Sequence, residues 1–312
     1  MNPHMEKFFR SFAFLLIAAM LAVSACGNKR IAPSRDGVIQ VAATTGMVAD
    51  IVKEVGGERV RVTSLMGPGV DPHLFKASRG DMIELDRAEL IFYNGLHLEG
   101  KMTRILEQMG RMKPVVPVAE NIDPNRLIRT EDGQPDPHVW FDVKLWIEAA
   151  ETVRDHLIQA DPDRKEDYEA RAAAYIEELE ELDRYVREQI ASIPKERRVL
   201  VTAHDAFSYF GQAYDIEVVG LQGINTAAEY GLKDVQKLVN LLTERKIKAV
   251  FVESSVPKRS IEAVVKGASE KGHRVKIGGE LFSDALGEAG TPEGTYIGMI
   301  RHNVDAIVSA LK

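Results

Sequence analysis

Apolar positions along this chain follow two alternating rhythms. Short β-rich runs, "GVIQVAATT" (37–45), "RVRVTSLM" (59–66) and "ELIFYNG" (89–95), are separated and followed by stretches with helical spacing at 47–57, 77–88 and 98–110. Two of those helical stretches stop at glycine, which tolerates the left-handed backbone that ends a helix. The scheme returns in the second half. "RRVLVTAH" (197–204), "IEVVGL" (216–221), "KAVFVESS" (248–255) and "RVKIGG" (274–279) read as strands, with helical patterns at 227–246 and 260–272. Such alternation predicts mostly parallel sheets with helices on their faces, an α/β fold of two Rossmann-like lobes.

Between the halves lies a segment of another kind. Residues 161–194 hold no glycine and no internal proline. Tyr168, Ala172, Tyr175, Leu179, Leu182, Val186 and Ile190 recur three or four apart, and the rest of the segment is mostly charged. That is one apolar stripe on a helix of roughly 45 Å. Asp161 is placed to cap it and Pro162 suits the first helical position. The stripe covers about three heptads and stands alone, so a strut packed along two lobes is preferred to a coiled coil. The expected layout is an N-terminal lobe over 38–160, the connecting helix over 161–194 and a C-terminal lobe over 195–312.

The first residues read differently from the fold. Lys7 and Arg10 precede the apolar run "SFAFLLIAAMLA" (11–22), which is too short to span a bilayer comfortably. "VSAC" follows and ends on Cys26, the only cysteine. An ordinary signal peptide cut near "VSA" is one reading. A lipobox is the better one, with cleavage leaving Cys26 as a lipidated N-terminus, a membrane anchor on the extracytoplasmic face, and 26–37 as a tether. The leader 1–25 carries Glu6, Lys7 and Arg10, a net +1, so its removal takes the chain from −7 to −8. A negative chain without a basic arm argues against nucleic acid. A folded part without cysteine has neither disulfides nor thiolate ligands.

Chemistry then rests on histidine and carboxylate. "VDPHLF" (70–75) and "PDPHVW" (135–140) place His73 and His138 each behind an Asp-Pro pair in a turn-rich loop, and His204 ends a predicted strand. Proline stiffens the backbone before each of the first two rings. Rigid presentation suits a metal ligand, although any one such histidine could equally be an ordinary hydrogen-bonded residue. Asp284, in the glycine-rich stretch 278–296, is the candidate fourth donor, with a turn or cap aspartate as the alternative. Three imidazoles and one carboxylate can hold Zn²⁺ tetrahedrally, or Mn²⁺ if both carboxylate oxygens bind. Four donors leave no open position for an activated water, which argues against an enzyme. His97 begins a helical pattern beside Glu99 and is a weaker candidate, while His156, His273 and His302 read as ordinary helix or strand-edge residues.

The lipobox, "DPHLF", "PDPHVW", "TAHDAFSYFGQAYDIEVVGLQGINTAAEYG" and "GGELFSDALGEAGTPEGTYIGM" together resemble the cluster A-I solute-binding lipoproteins of bacterial ABC importers, over about 38–310. The resemblance implies two lobes joined by one long helix, with a single metal in the cleft held by His73, His138, His204 and Asp284. It also implies a permease and cytoplasmic ATPase as partners, and a monomer is expected. His204 stands where manganese members often carry glutamate, which brings zinc into consideration. Residues 119–137 hold no histidine, unlike the histidine-rich loop common in zinc members, and the segments around 219–226 and 283–299 look closer to manganese-type lipoproteins of Gram-positive bacteria. Manganese is therefore favoured, with zinc the alternative. Asp205, Glu253 and Ser254 are candidates for orienting the imidazoles. A metallohydrolase, or an adhesin stabilised by its metal, is a competing class.

Overall fold

The computed structural model describes residues 37–130, 132–228 and 230–312. The leader, Cys26 and the tether up to residue 36 lie outside the described residues. The first lobe runs β1 (Ile39–Ala43), α1 (Gly46–Gly56), β2 (Val60–Ser64), α2 (Arg79–Arg87), β3 (Leu90–Tyr93), α3 (Thr103–Gly110), β4 (Val115–Pro117) and α4 (Val143–Ala160). Its four strands pair in parallel in the order β2-β1-β3-β4. The connecting helix is α5 (Lys165–Ala191). The second lobe follows with β5 (Val199–His204), α6 (Ser208–Tyr214), β6 (Glu217–Gln222), α7 (Leu232–Glu244), β7 (Ala249–Glu253), α8 (Arg259–Glu270), β8 (Lys276–Leu281) and α9 (Tyr296–Leu311). Here β5 pairs with β6 and β7 with β8, both in parallel, and β5 lies beside β7.

Strand alternation builds three cores. Ile39, Val41, Leu90 and Phe92 face inward, as do Leu200, Ala249 and Phe251 from the other lobe, and all belong to one apolar cluster. Ala42 and Ile91 turn to the outer face under Leu85, Leu106 and Met109. Val201, Val250 and Val252 likewise turn outward, towards α7 and α8. Period-two side chains thus divide each sheet between a private outer core and a shared inner one. The connecting helix fills that shared core. Every residue of its predicted stripe, Tyr168 to Ile190, is buried. It packs on α1 and α4 from one lobe and on α9 and α6 from the other.

Several expectations change. Asp161 does not cap the long helix. A 3₁₀ turn, Pro162–Arg164, intervenes, and the Asp161 carboxylate accepts from the Tyr168 hydroxyl at 3.3 Å. The helical stretch expected from residue 98 becomes a turn until Thr103, because Glu99 is drawn inward and Leu96 and His97 take positive φ of 52° and 66°. The helix expected from 227 starts at Leu232. The Gly231 N–H donates to Asp234, and residues 227, 228 and 230 lie outside any helix or strand. The last strand extends to Leu281 despite "GG". A side chain at Gly278 would sit 2.7 Å from Ala310 and 2.9 Å from Phe251, so that glycine permits close packing and does not stop the strand. Strand β4 and helix α6 are too short to stand out in the apolar pattern.

Candidate metal centre

Both Asp-Pro-His triplets fold the same way. The aspartate carboxylate accepts the backbone N–H of the histidine two residues on, at 2.9 Å for Asp71 and His73 and 3.0 Å for Asp136 and His138. This is an Asx turn with proline at its centre, which aims the imidazole. His204 is the final residue of β5, and Asp284 follows β8. His204 thus ends a strand and Asp284 lies just past one, at carboxyl ends where open α/β sheets place ligands.

The four side chains converge. All are buried, and each offers a ligand atom within 4.8 Å of the others. His73 Nε2 is 3.3 Å from His138 Nε2 and 3.7 Å from Asp284 Oδ2. His138 Nε2 is 3.5 Å from Asp284 Oδ1, and His204 Nε2 is 3.3 Å from Asp284 Oδ2. A regular tetrahedron around a cation with bonds of about 2.0–2.1 Å has edges of roughly 3.3–3.4 Å. His204 Nε2 and both Asp284 oxygens are buried without a hydrogen-bond partner. Buried polar atoms left unpaired are costly, and a central cation would satisfy all three at once.

Charge is arranged to suit. Burial alone would raise the Asp284 carboxyl, but His204, His138 and His73 hold it well below the ordinary carboxylate range. Burial would lower His204, but Glu253 and Asp284 outweigh it and raise that ring well above its usual value. Burial dominates at His73 and brings it down to about 3, so this ring is a free base at neutral pH.

Surrounding groups fix the donors. His138 Nδ1 contacts Asp136 Oδ1 at 2.7 Å. His204 Nδ1 lies 2.5 Å from Glu253 Oε2, while Glu253 Oε1 accepts the His204 backbone N–H at 2.9 Å. Glu253, a candidate for orienting an imidazole, lies against His204. Asp205 and Ser254 do not orient an imidazole: Asp205 accepts from the Ser208 hydroxyl at 2.7 Å, and the Ser254 hydroxyl is unpartnered. Both sit at strand ends beside the cluster, but neither side chain bonds a ring nitrogen. Composition and spacing gave no hint of three further supports. Glu99 accepts from Asn94 N–H, Gly95 N–H and the Thr44 hydroxyl, and Asn94 in turn donates to the Pro137 carbonyl at 3.0 Å, bracing the His138 loop. Tyr209 donates to the Asp136 carbonyl. Trp140 Nε1 donates to the Ser283 carbonyl at 3.0 Å, joining the His138 loop to the Asp284 loop. The remaining described histidines stay apart. His156 meets Glu120, His273 meets the Ile247 carbonyl, His302 meets the Glu280 carbonyl, and His97 is exposed.

Fold and cluster together define a class: two-lobed α/β proteins whose cleft holds a site of three histidines and one aspartate. Residues 41–310 match the family described as ZnuA, zinc-uptake complex component A, periplasmic, and the chain belongs to this family. It is 53% identical to the manganese-binding lipoprotein MntA of Bacillus subtilis over 95% of this chain and 97% of that protein. It is 47% identical to the zinc-binding protein TroA of Treponema pallidum over 97% of this chain and 98% of that protein. The solved structure of the Treponema pallidum periplasmic zinc-binding protein TroA superposes with a TM-score of 0.87 at 49% identity, covering 88% of this chain and 99% of that one.

Proposed function

We propose that this chain captures one divalent transition metal outside the cytoplasm and hands it to an ABC importer, with His73, His138, His204 and Asp284 as ligands. The observation that carries the reading is the enclosed cluster, two donors from each lobe, with three unpaired buried atoms facing one point. The ion is the cargo. Four converging donors leave no position for an activated water, which fits a family of binding proteins and not of catalysts. Lipidation at Cys26 would hold the protein on the outer face of the membrane, as the word lipoprotein in the relative's name suggests. The partners would then be a permease and its ATPase. The lobes are proposed as 38–160 and 195–312, joined by 161–194.

Manganese is the favoured ion. Asp284 points Oδ1 towards His138 and Oδ2 towards His73 and His204, so both oxygens face the centre. A carboxylate binding through two oxygens adds hard donors and a fifth coordination position, which suits manganese better than zinc. The 53% identical relative is named for manganese, whereas the family description and TroA name zinc. Zinc stays the second reading because three imidazoles hold it more tightly at equilibrium. Purified protein dialysed against a manganese–zinc mixture and measured by elemental analysis should carry one ion per chain. His73→Ala combined with Asp284→Ala should carry none, and retention of one ion would overturn the ligand assignment. A deletion strain that fails to grow only when manganese is scarce would support that metal, and failure only when zinc is scarce would reverse the choice.

A further inference from the structure

The three imidazoles are not held alike. His138 and His204 each present Nδ1 to a carboxylate, Asp136 or Glu253. His73 Nδ1 is buried and has no partner. The reason lies in the Asx turn. Asp71 repeats the role of Asp136 towards the backbone, but its second oxygen accepts from the Thr226 hydroxyl of the opposite lobe at 2.6 Å and does not turn back to the ring. A carboxylate on the far nitrogen fixes ring orientation and raises ligand basicity. His73 lacks that restraint.

His73 also lines a cavity. A space of about 320 Å³ opens beside it, walled by Leu96, His97, Asp132 and Gln134 from one lobe and by the Gly223–Ala228 loop from the other. That space is many times what a single water requires, enough for a hydrated divalent ion. Its rim offers an imidazole and a carboxylate, His97 and Asp132, both exposed. Leu96 and His97 hold consecutive positive φ values, and strain of that kind in non-glycine residues persists only where the surroundings enforce it. The enforcing bonds are those from Asn94 and Gly95 N–H to the buried Glu99 carboxylate.

Resting on the metal-binding reading above, we infer that the ion passes through this vestibule and that His73 is the last ligand to engage and the first to let go, while His138, His204 and Asp284 stay in place. Exchange then needs rotation of one unrestrained ring and no separation of the lobes. The test is kinetic. Binding is followed through Trp140, whose ring is 5.1 Å from that of His138, and release by excess chelator, with Mn²⁺ and Zn²⁺ in turn. Ala228→Phe fills the vestibule from one lobe and Gln134→Phe from the other without adding a tryptophan; neither residue touches the ion. Each should slow association and release by the same factor, fivefold or more, leaving Kd within twofold and the stoichiometry at one. Unchanged rates in both variants, or slower release with unchanged association, would overturn the route. Absence of metal from the unmodified protein would instead overturn the function itself.

Discussion

A carboxylate behind the ring decides how firmly an imidazole is held. Asp136 reaches both the backbone and the ring of His138, and Glu253 does the same for His204. Asp136→Asn or Glu253→Gln keeps the shape but weakens the charge behind the imidazole, and each should lower metal affinity about 10–100-fold. Competition against a chelator of known affinity measures this, and an unchanged Kd would deny these carboxylates an orienting role. The raised pKa of His204 carries its own prediction. In the metal-free protein that ring holds a proton at neutral pH, and the ion must displace it. Binding should release close to one proton per ion, so affinity should rise with pH, up to about tenfold per unit, until His204 is deprotonated in the free protein. Calorimetry in buffers of differing ionisation enthalpy counts the protons. Glycine matters here too: a side chain at Gly220 would meet Asp205 N at 2.7 Å, directly behind His204, so Gly220→Ala should weaken binding without touching a ligand.

At the scale of elements, α9 depends on the other lobe for its start. The Tyr296 N–H, at the helix's first residue, donates to Asp50 of α1 at 2.9 Å. Burial pushes the Asp50 carboxyl from 3.8 up to about 6. Between those values the folded chain binds more protons than the unfolded one, so stability falls as pH rises from about 4 to 6 and levels off above. The loss is at most about 3 kcal/mol. Asp50→Asn keeps an acceptor for Tyr296 and removes the charge. Denaturant titrations should therefore show its stability relative to the parent rising across that interval, and a constant difference would refute the shift. Element boundaries were the least legible part of the pattern. Glu99 ends a helical reading early because it satisfies three buried groups, and Gly278 extends a strand because α9 presses on it. The Thr44 bond to Glu99 and the contact of α9 with Gly278 both come from parts of the chain remote in sequence.

At the scale of the molecule, the lobes share one core. Trp146 stacks on Tyr296 with ring centroids 5.3 Å apart, Phe141 meets Phe207 at 4.2 Å, and the connecting helix lies along both lobes. Separating the lobes would expose this apolar surface, so a wide hinge is disfavoured. Scattering curves with and without metal should give radii of gyration within ~1 Å of each other, against ~19 Å expected for a compact chain of this size. Thermal unfolding should be a single transition that metal shifts upwards. Leu182→Ala, in the middle of the strut, should cost about 2–5 kcal/mol without splitting it. Two separate transitions would mean that the lobes fold independently.

What the sequence determined by itself was what repeats or recurs locally: the strand and helix rhythms of both halves, the buried stripe from Tyr168 to Ile190, and the stiff loops behind His73 and His138. Those features follow from nearest-neighbour backbone chemistry and from the periods of helix and strand, which a linear reading can see. The tertiary structure decided which groups meet. Glu253 and Asp136 became the carboxylates behind two rings, whereas Asp205 bonds Ser208 and Ser254 bonds no ring. Trp140 came to bridge to Ser283, and Thr226 drew the second oxygen of Asp71 away from His73. Those pairings join residues up to 155 positions apart, and only the crossing of parallel strands brings their ends to one point.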